Sequence, residues 1–160
     1  MSDSLRDHLI ELLHAGHAHI GFREAVDDWP ENLRGVKPPG QPFTPWRVLE
    51  HMRIAQWDIV EFSKNAKHVS PDWPDGYWPK QDAPPNGKAW DDSIRQIERD
   101  REEMERLVSD PANDLSAKIP HGTGQTLLRE ALVLADHNSY HLGQLVLLRR
   151  LVGGWKEEAK

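Results

Sequence analysis

The chain has 160 residues, a formal net charge of −6 and no cysteine. The absence of cysteine excludes disulfides, thiolate metal ligands and a cysteine nucleophile, and an acidic chain without a basic cluster argues against a nucleic-acid partner. The length fits one domain over residues 1–160. No apolar run approaches the roughly 20 residues of a membrane helix, and the opening MSDSLRDHLIELL does not read as a signal peptide. We therefore expect a soluble, cytoplasmic protein without membrane contacts.

The first predicted helix spans residues 4–28. Ser4 is a suitable cap for its first turn, and Trp29-Pro30 marks its end. Apolar residues recur along one face with helical spacing. This predicted inward stripe consists of Leu5, Leu9, Leu12, Leu13, Gly16 and Ile20.

The second predicted helix spans residues 44–67, with Thr44 as its cap and Pro45 in its first turn. A long irregular segment follows at residues 70–90, and segments of this length in small domains are usually functional or disordered. The many aromatic residues of this segment argue against disorder, so we expect a lid, a pocket wall or a cap on the helices. These aromatic residues are Trp73, Tyr77, Trp78 and Trp90.

The third and fourth predicted helices span residues 91–109 and 126–152. Asp110-Pro111 ends the third helix, and Gly153-Gly154 ends the fourth. No segment shows the alternation of a strand, so we predict an all-α four-helix bundle. The long connection before the third helix would allow the second and third helices to be parallel.

Two histidines share one face of the fourth predicted helix. His137 and His141 lie four residues, or about one turn, apart. His141 points along the inward apolar stripe, and His137 lies at its edge. Buried imidazoles need partners for both ring nitrogens, and a divalent metal would take one nitrogen from each. Two hydrogen-bonded core histidines without a metal are an equally good interpretation at this point.

A third ligand is predicted on the second helix, where His51 flanks the apolar stripe. Asp58 lies two turns later on a similar face and is interpreted as a hydrogen-bond acceptor for a ligand histidine. Gln144, one turn beyond His141, is interpreted either as a hydrogen-bond partner of a metal-bound water or, equally well, as a polar residue at the edge of the core. His17 and His19 lie on opposite sides of the first helix stripe, so at most one of them would line the same site.

The remaining polar residues near these positions are interpreted as structural or surface groups. Four of them are histidines, two near the polar flank of the first helix and two in loops. The other two are carboxylates that diverge from the histidine direction on their helices. The set consists of His8, His14, His68, His121, Glu50 and Asp136.

Two segments, TPWRVLEHMRIAQWDI and HGTGQTLLREALVLADHNSYHLGQLVLLRR, together resemble the DinB-like superfamily, which includes the YfiT-like metal-dependent hydrolases. The resemblance covers nearly the whole chain in helix number, helix order and histidine placement. It implies an up-down-down-up four-helix bundle, often a homodimer, in which His51, His137 and His141 bind nickel or zinc. Relatives of known activity include thiol S-transferases that use low-molecular-weight bacterial thiols, and a mycothiol-dependent isomerase. The family name refers to DNA damage induction and does not imply DNA binding.

Three neutral histidines leave coordination positions open, as in catalytic rather than structural metal sites. The first hypothesis is therefore a metal-dependent thiol S-transferase or hydrolase, which activates a small thiol or water against an electrophilic small molecule. Its candidate acid or base groups are His17, His19, Asp58 and Gln144. The second hypothesis is a non-catalytic metal-binding dimer that acts through a partner, because the fourth helix has a wide apolar surface. A bundle without metal is the third.

Overall fold

The computed structural model describes residues 3–14 and 18–155, and within these ranges the chain is helical and contains no strand. Two single 3-10 turns, Glu31–Leu33 and Asp75–Tyr77, lie in the connections. None of the helices in the described ranges has the length and apolar character needed to cross a membrane. The α-helices are α1 (Ser4–His14), α2 (Phe22–Val26), α3 (Pro45–Lys64), α4 (Ala89–Ser109) and α5 (Leu127–Leu151).

The prediction of one continuous helix over residues 4–28 was wrong. α1 ends at His14, residues 18–21 are not helical, and the short helix α2 begins at Phe22. Gly21 precedes α2 in an extended conformation (φ −70°, ψ 159°), and glycine is among the residues least favourable to a helix interior. Leu5 and Leu12 of the predicted inward stripe are about half exposed, so α1 buries a narrower face than expected.

The three long helices begin and end close to the predicted positions. Thr44 caps α3 by accepting a hydrogen bond from the backbone N–H of Arg47 (3.2 Å), and Pro45 occupies the first turn. Thr126 caps α5 in the same way through Arg129 (3.1 Å). These caps satisfy backbone donors that have no partner inside the helix.

α3 packs against both α4 and α5, while α1 also contacts α4 and α5, and α2 contacts α5. Two groups of buried apolar residues hold these helices together. One group contains Leu49, Leu142 and Leu145, and the other contains Val60 and Ala135. Along α5 the two groups leave a gap between residues 135 and 142, and the paired histidines fall in this gap.

Candidate metal centre

Three histidines from two helices converge between α3 and α5. His51 on α3 is 5% exposed and His141 on α5 is 7% exposed, while His137 is half-buried. Each offers one ring nitrogen to a common point, and these nitrogens lie within 4.8 Å of one another. The four-residue spacing on α5 stacks His137 and His141 on one face, and the packing of α3 on α5 adds His51.

Hydrogen bonds fix the orientation of two of the rings. His51 Nδ1 lies 2.9 Å from the backbone carbonyl oxygen of Tyr77, and His141 Nδ1 lies 2.7 Å from Oε1 of Gln144. Because both partners are oxygen acceptors, each Nδ1 carries the proton and each Nε2 keeps an unprotonated lone pair. The ring nitrogens that remain available are thus suited to bind a cation.

The separation of two of these nitrogens fits a metal ion. Nε2 of His51 and Nε2 of His137 are 3.1 Å apart. Two nitrogens that each lie about 2.0–2.1 Å from a zinc ion are roughly 3 Å apart when they subtend a tetrahedral or right angle at the metal. Nδ1 of His137 is buried and has no hydrogen-bond partner among the described residues, so hydrogen bonds alone do not satisfy the cluster.

Burial keeps the three imidazoles in the neutral form that binds metals. The pKa of His51 is lowered to about 4, mainly by desolvation; the Tyr77 hydrogen bond opposes this shift, and the positive charge that His141 would carry adds to it. Desolvation likewise lowers the pKa of His137 to about 4, with contributions from the neighbouring histidines. The pKa of His141 is lowered by the same burial. At neutral pH the three rings are therefore uncharged, which is the state in which imidazole binds a metal.

Aromatic side chains surround the histidines, and one of them, Trp78 from the connection between α3 and α4, covers His51. The Trp78 indole stacks on the His51 ring with a centroid separation of 3.9 Å and an interplanar angle of 2°. The Phe43 ring in turn stacks on the Trp78 ring, with a centroid separation of 4.1 Å. The Tyr140 ring meets His141 edge-on at 5.0 Å. The aromatic segment therefore forms a wall of the histidine site, one of the roles predicted for it.

The three histidines line an open cavity of about 770 Å³. This volume is within the range of small-molecule sites, about 300–1,000 Å³. Aromatic rings supply part of its wall, and charged groups of α3 and α5 supply another part. The aromatic rings are Phe43, Trp73, Tyr77, Trp78 and Tyr140, and the charged groups are Asp58, Arg129, Glu130 and Asp136.

The family model described as the DinB superfamily matches residues 17–145, which include all three converging histidines. This chain belongs to the DinB superfamily. No curated protein and no solved structure gave a significant match. The family assignment therefore rests on the family model, and the all-helical architecture agrees with it.

Asp58 of this DinB-superfamily protein does not bond a ligand histidine directly, contrary to its predicted role. Its Oδ2 accepts a hydrogen bond from the Tyr77 hydroxyl (2.6 Å), and its Oδ1 accepts one from His68 Nε2 (2.7 Å). Asp58 nevertheless lines the cavity. The departure arises because the loop after α3 folds back and places Tyr77 between Asp58 and His51.

The other predicted polar residues divide between the site and its surroundings. Gln144 lines the cavity, and its side-chain oxygen accepts a hydrogen bond from His141 Nδ1; its contact with a metal-bound water stays a prediction. His19 is exposed and does not line the histidine cavity; it lines a separate cavity of about 300 Å³. His17 lies outside the described residues.

Several contributors to the site were missed by sequence reasoning. His68 was interpreted as an ordinary loop residue, yet its side chain is 6% exposed and bonds Asp58. The contact between the Tyr77 backbone carbonyl and His51 could not be predicted, because every residue has a backbone carbonyl. Burial and the hydrogen bond to Asp58 raise the pKa of Tyr77 to about 12.

Glu50 is buried between Arg53 and Ser93 as a helix contact, so the alternative surface interpretation is wrong.

Proposed function

We propose that this protein binds one divalent metal ion, nickel or zinc, through His51, His137 and His141. The observation that carries the proposal is the convergence of three imidazole nitrogens within 4.8 Å of one another in the wall of a cavity of about 770 Å³. Nitrogen donors of this kind suit both metals. Membership of the DinB superfamily supports the same assignment.

We further propose that the protein is an enzyme that acts on a small electrophilic substrate with a low-molecular-weight thiol or with water. A divalent ion held by three neutral ligands would supply Lewis acidity that lowers the pKa of a thiol or water. The residues of the chain orient the ligand rings through Tyr77 and Gln144 and shape the pocket through Trp78 and Tyr140. With no cysteine in the chain, a reacting thiol comes from the substrate side.

The arrangement of the helices is also proposed to follow the family. We infer an up-down-down-up order for α1, α3, α4 and α5 within a single domain. The connection over residues 65–88 supports this order because its length allows α3 and α4 to be parallel. A cytoplasmic location and the absence of nucleic-acid and membrane partners stay predictions from the sequence.

The enzymatic proposal is tested with a panel of small thiols and electrophilic acceptors, each incubated with zinc- or nickel-loaded protein. Loss of free thiol or of acceptor is measured, and a hydrolysis assay without thiol is run in parallel. We expect turnover that disappears in His51→Ala. His8→Ala, at an exposed position of α1, is the matched control and should retain the turnover. Turnover that persists in His51→Ala would contradict the proposed site.

A second candidate function is a non-catalytic metal-binding homodimer that acts through a partner protein. One side of α5 leaves Leu132, Leu147 and Leu151 about half exposed, with Tyr140 also exposed on that side. Large exposed apolar patches often mark interfaces. Sedimentation equilibrium of the wild type and of Leu147→Glu tests the dimer, which we expect the charge to dissociate. Metal binding without turnover across the panel favours this candidate over the enzyme.

A further inference from the structure

Asp58 is a buried carboxylate whose two oxygens are both used. Its side chain is 12% exposed and lies on α3, seven residues after His51. His68 Nε2 donates to one oxygen at 2.7 Å, and the Tyr77 hydroxyl donates to the other at 2.6 Å. The carboxylate thus fastens two points of the loop after α3 back onto the helix.

The same loop contacts His51 through a backbone carbonyl and through an aromatic ring. The backbone carbonyl of Tyr77 accepts the His51 Nδ1 proton at 2.9 Å, and the next residue, Trp78, stacks on the His51 ring. A metal-binding histidine is commonly oriented by an acceptor on its second ring nitrogen. Here that acceptor is a loop carbonyl, and its position depends on what holds the loop.

We propose that Asp58 is the positioning residue of the metal centre, acting on His51 through Tyr77 and His68. By anchoring the loop it holds the Tyr77 carbonyl against Nδ1, so that His51 presents an unprotonated Nε2 to His137. The inference deepens the proposed function, because this orientation matters for binding only if the histidines hold a metal. The ring orientation itself exists without metal and can be measured separately.

A carboxylate at this position matches two donors at once. A carboxylate accepts hydrogen bonds at both oxygens, whereas an asparagine amide accepts at its oxygen only and presents donors at its nitrogen. Asp58→Asn therefore keeps the size of the side chain but cannot accept from both His68 and Tyr77. Tyr77→Phe removes the same bond from the opposite end while it leaves the backbone carbonyl and the ring in place.

The test compares Asp58→Asn and Tyr77→Phe with the wild type and with Asp100→Asn. Asp100 is also a buried helical aspartate, but it bonds Gln96 on α4 and does not line the cavity. Two readouts are used: the protonated ring nitrogen of His51 by ¹⁵N NMR in metal-free protein, and the zinc dissociation constant by competition with a chelator. Thermal unfolding verifies that each variant folds.

We expect wild type and Asp100→Asn to show His51 protonated at Nδ1 and to bind zinc equally well. Asp58→Asn and Tyr77→Phe should show a mixture of His51 tautomers and bind zinc about 10–100-fold more weakly. Wild-type tautomer and affinity in both variants would overturn the positioning role, as would a loss of thermal stability without either change. Failure of the wild type to bind zinc would instead overturn the proposed function, and the metal-free NMR comparison would still decide whether Asp58 orients His51.

Discussion

At the scale of single residues, the environment of each histidine decides its chemistry. The sequence contains nine histidines, and only three of those in the described ranges form a cluster with metal-ligand spacing. His137 and His141 could be paired from the sequence because helical spacing is regular. His51 could be added because it flanks the apolar stripe of α3. The hydrogen-bond acceptor for His51 could not be predicted, since the position of a loop carbonyl depends on how residues 65–88 fold.

The lowered pKa values predict how the metal-free protein responds to acid. The pKa of His51 and of His137 is about 4 in the folded protein, against about 6.5 for an unperturbed histidine. Between these values the unfolded chain binds more protons, so the free energy of unfolding should decrease as the pH falls from about 6.5 to about 4. Urea unfolding in the presence of a chelator, repeated across this pH range, measures the slope.

Two histidine variants test whether the buried histidines cause this pH dependence of the free energy of unfolding. His51→Gln should reduce the pH dependence of the free energy of unfolding, because one proton-linked group is removed. His8→Gln, at an exposed position of α1, should leave it as in the wild type. An identical slope in all three proteins would contradict the burial argument.

At the scale of helices, the predictions succeeded where local patterns dominate and failed where a distant contact decides. Thr44 and Thr126 cap α3 and α5 as helix-start signals predict. The separate helix α2 was missed, and it is held by Arg149, more than 120 residues away in the sequence. Its guanidinium donates to the backbone carbonyls of Ala25 (2.9 Å) and Asp27 (2.8 Å) near the end of α2.

Arg149→Met should therefore destabilise the packing of α2 on α5. The change leaves buried carbonyl oxygens without donors and removes the guanidinium from the face of Trp29, with an expected loss of about 3 kcal/mol in the free energy of unfolding. Arg150→Met, at the adjacent exposed position, is the matched control and should cost much less. Urea denaturation measures both, and equal losses would refute the role assigned to Arg149.

At the scale of the whole molecule, the proposed metal would join α3 to α5 through side chains of both helices. A ligand that binds only the folded state stabilises it by mass action, by about 2.7 kcal/mol at 100 times its dissociation constant. For a chain of this length we expect zinc to raise Tm by roughly 5–10 °C. Calorimetry with and without zinc measures this shift.

The zinc-dependent rise in Tm should be absent in His137→Ala, which removes one ligand from α5. It should persist in His8→Ala, which lies outside the cluster. A similar rise in His137→Ala would show that zinc stabilises the protein from another place.

The overall helical architecture could be predicted from the sequence because long helices with apolar stripes have few ways to bury them. The substrate could not be predicted, because the loop that forms the cavity wall has no regular sequence pattern.

The most direct test is the metal content of the purified protein, measured by inductively coupled plasma mass spectrometry after removal of loosely bound ions. We predict close to one nickel or zinc ion for each wild-type chain. The triple variant with alanine at residues 51, 137 and 141 should retain essentially none. As much metal in the triple variant as in the wild type would contradict the histidine centre.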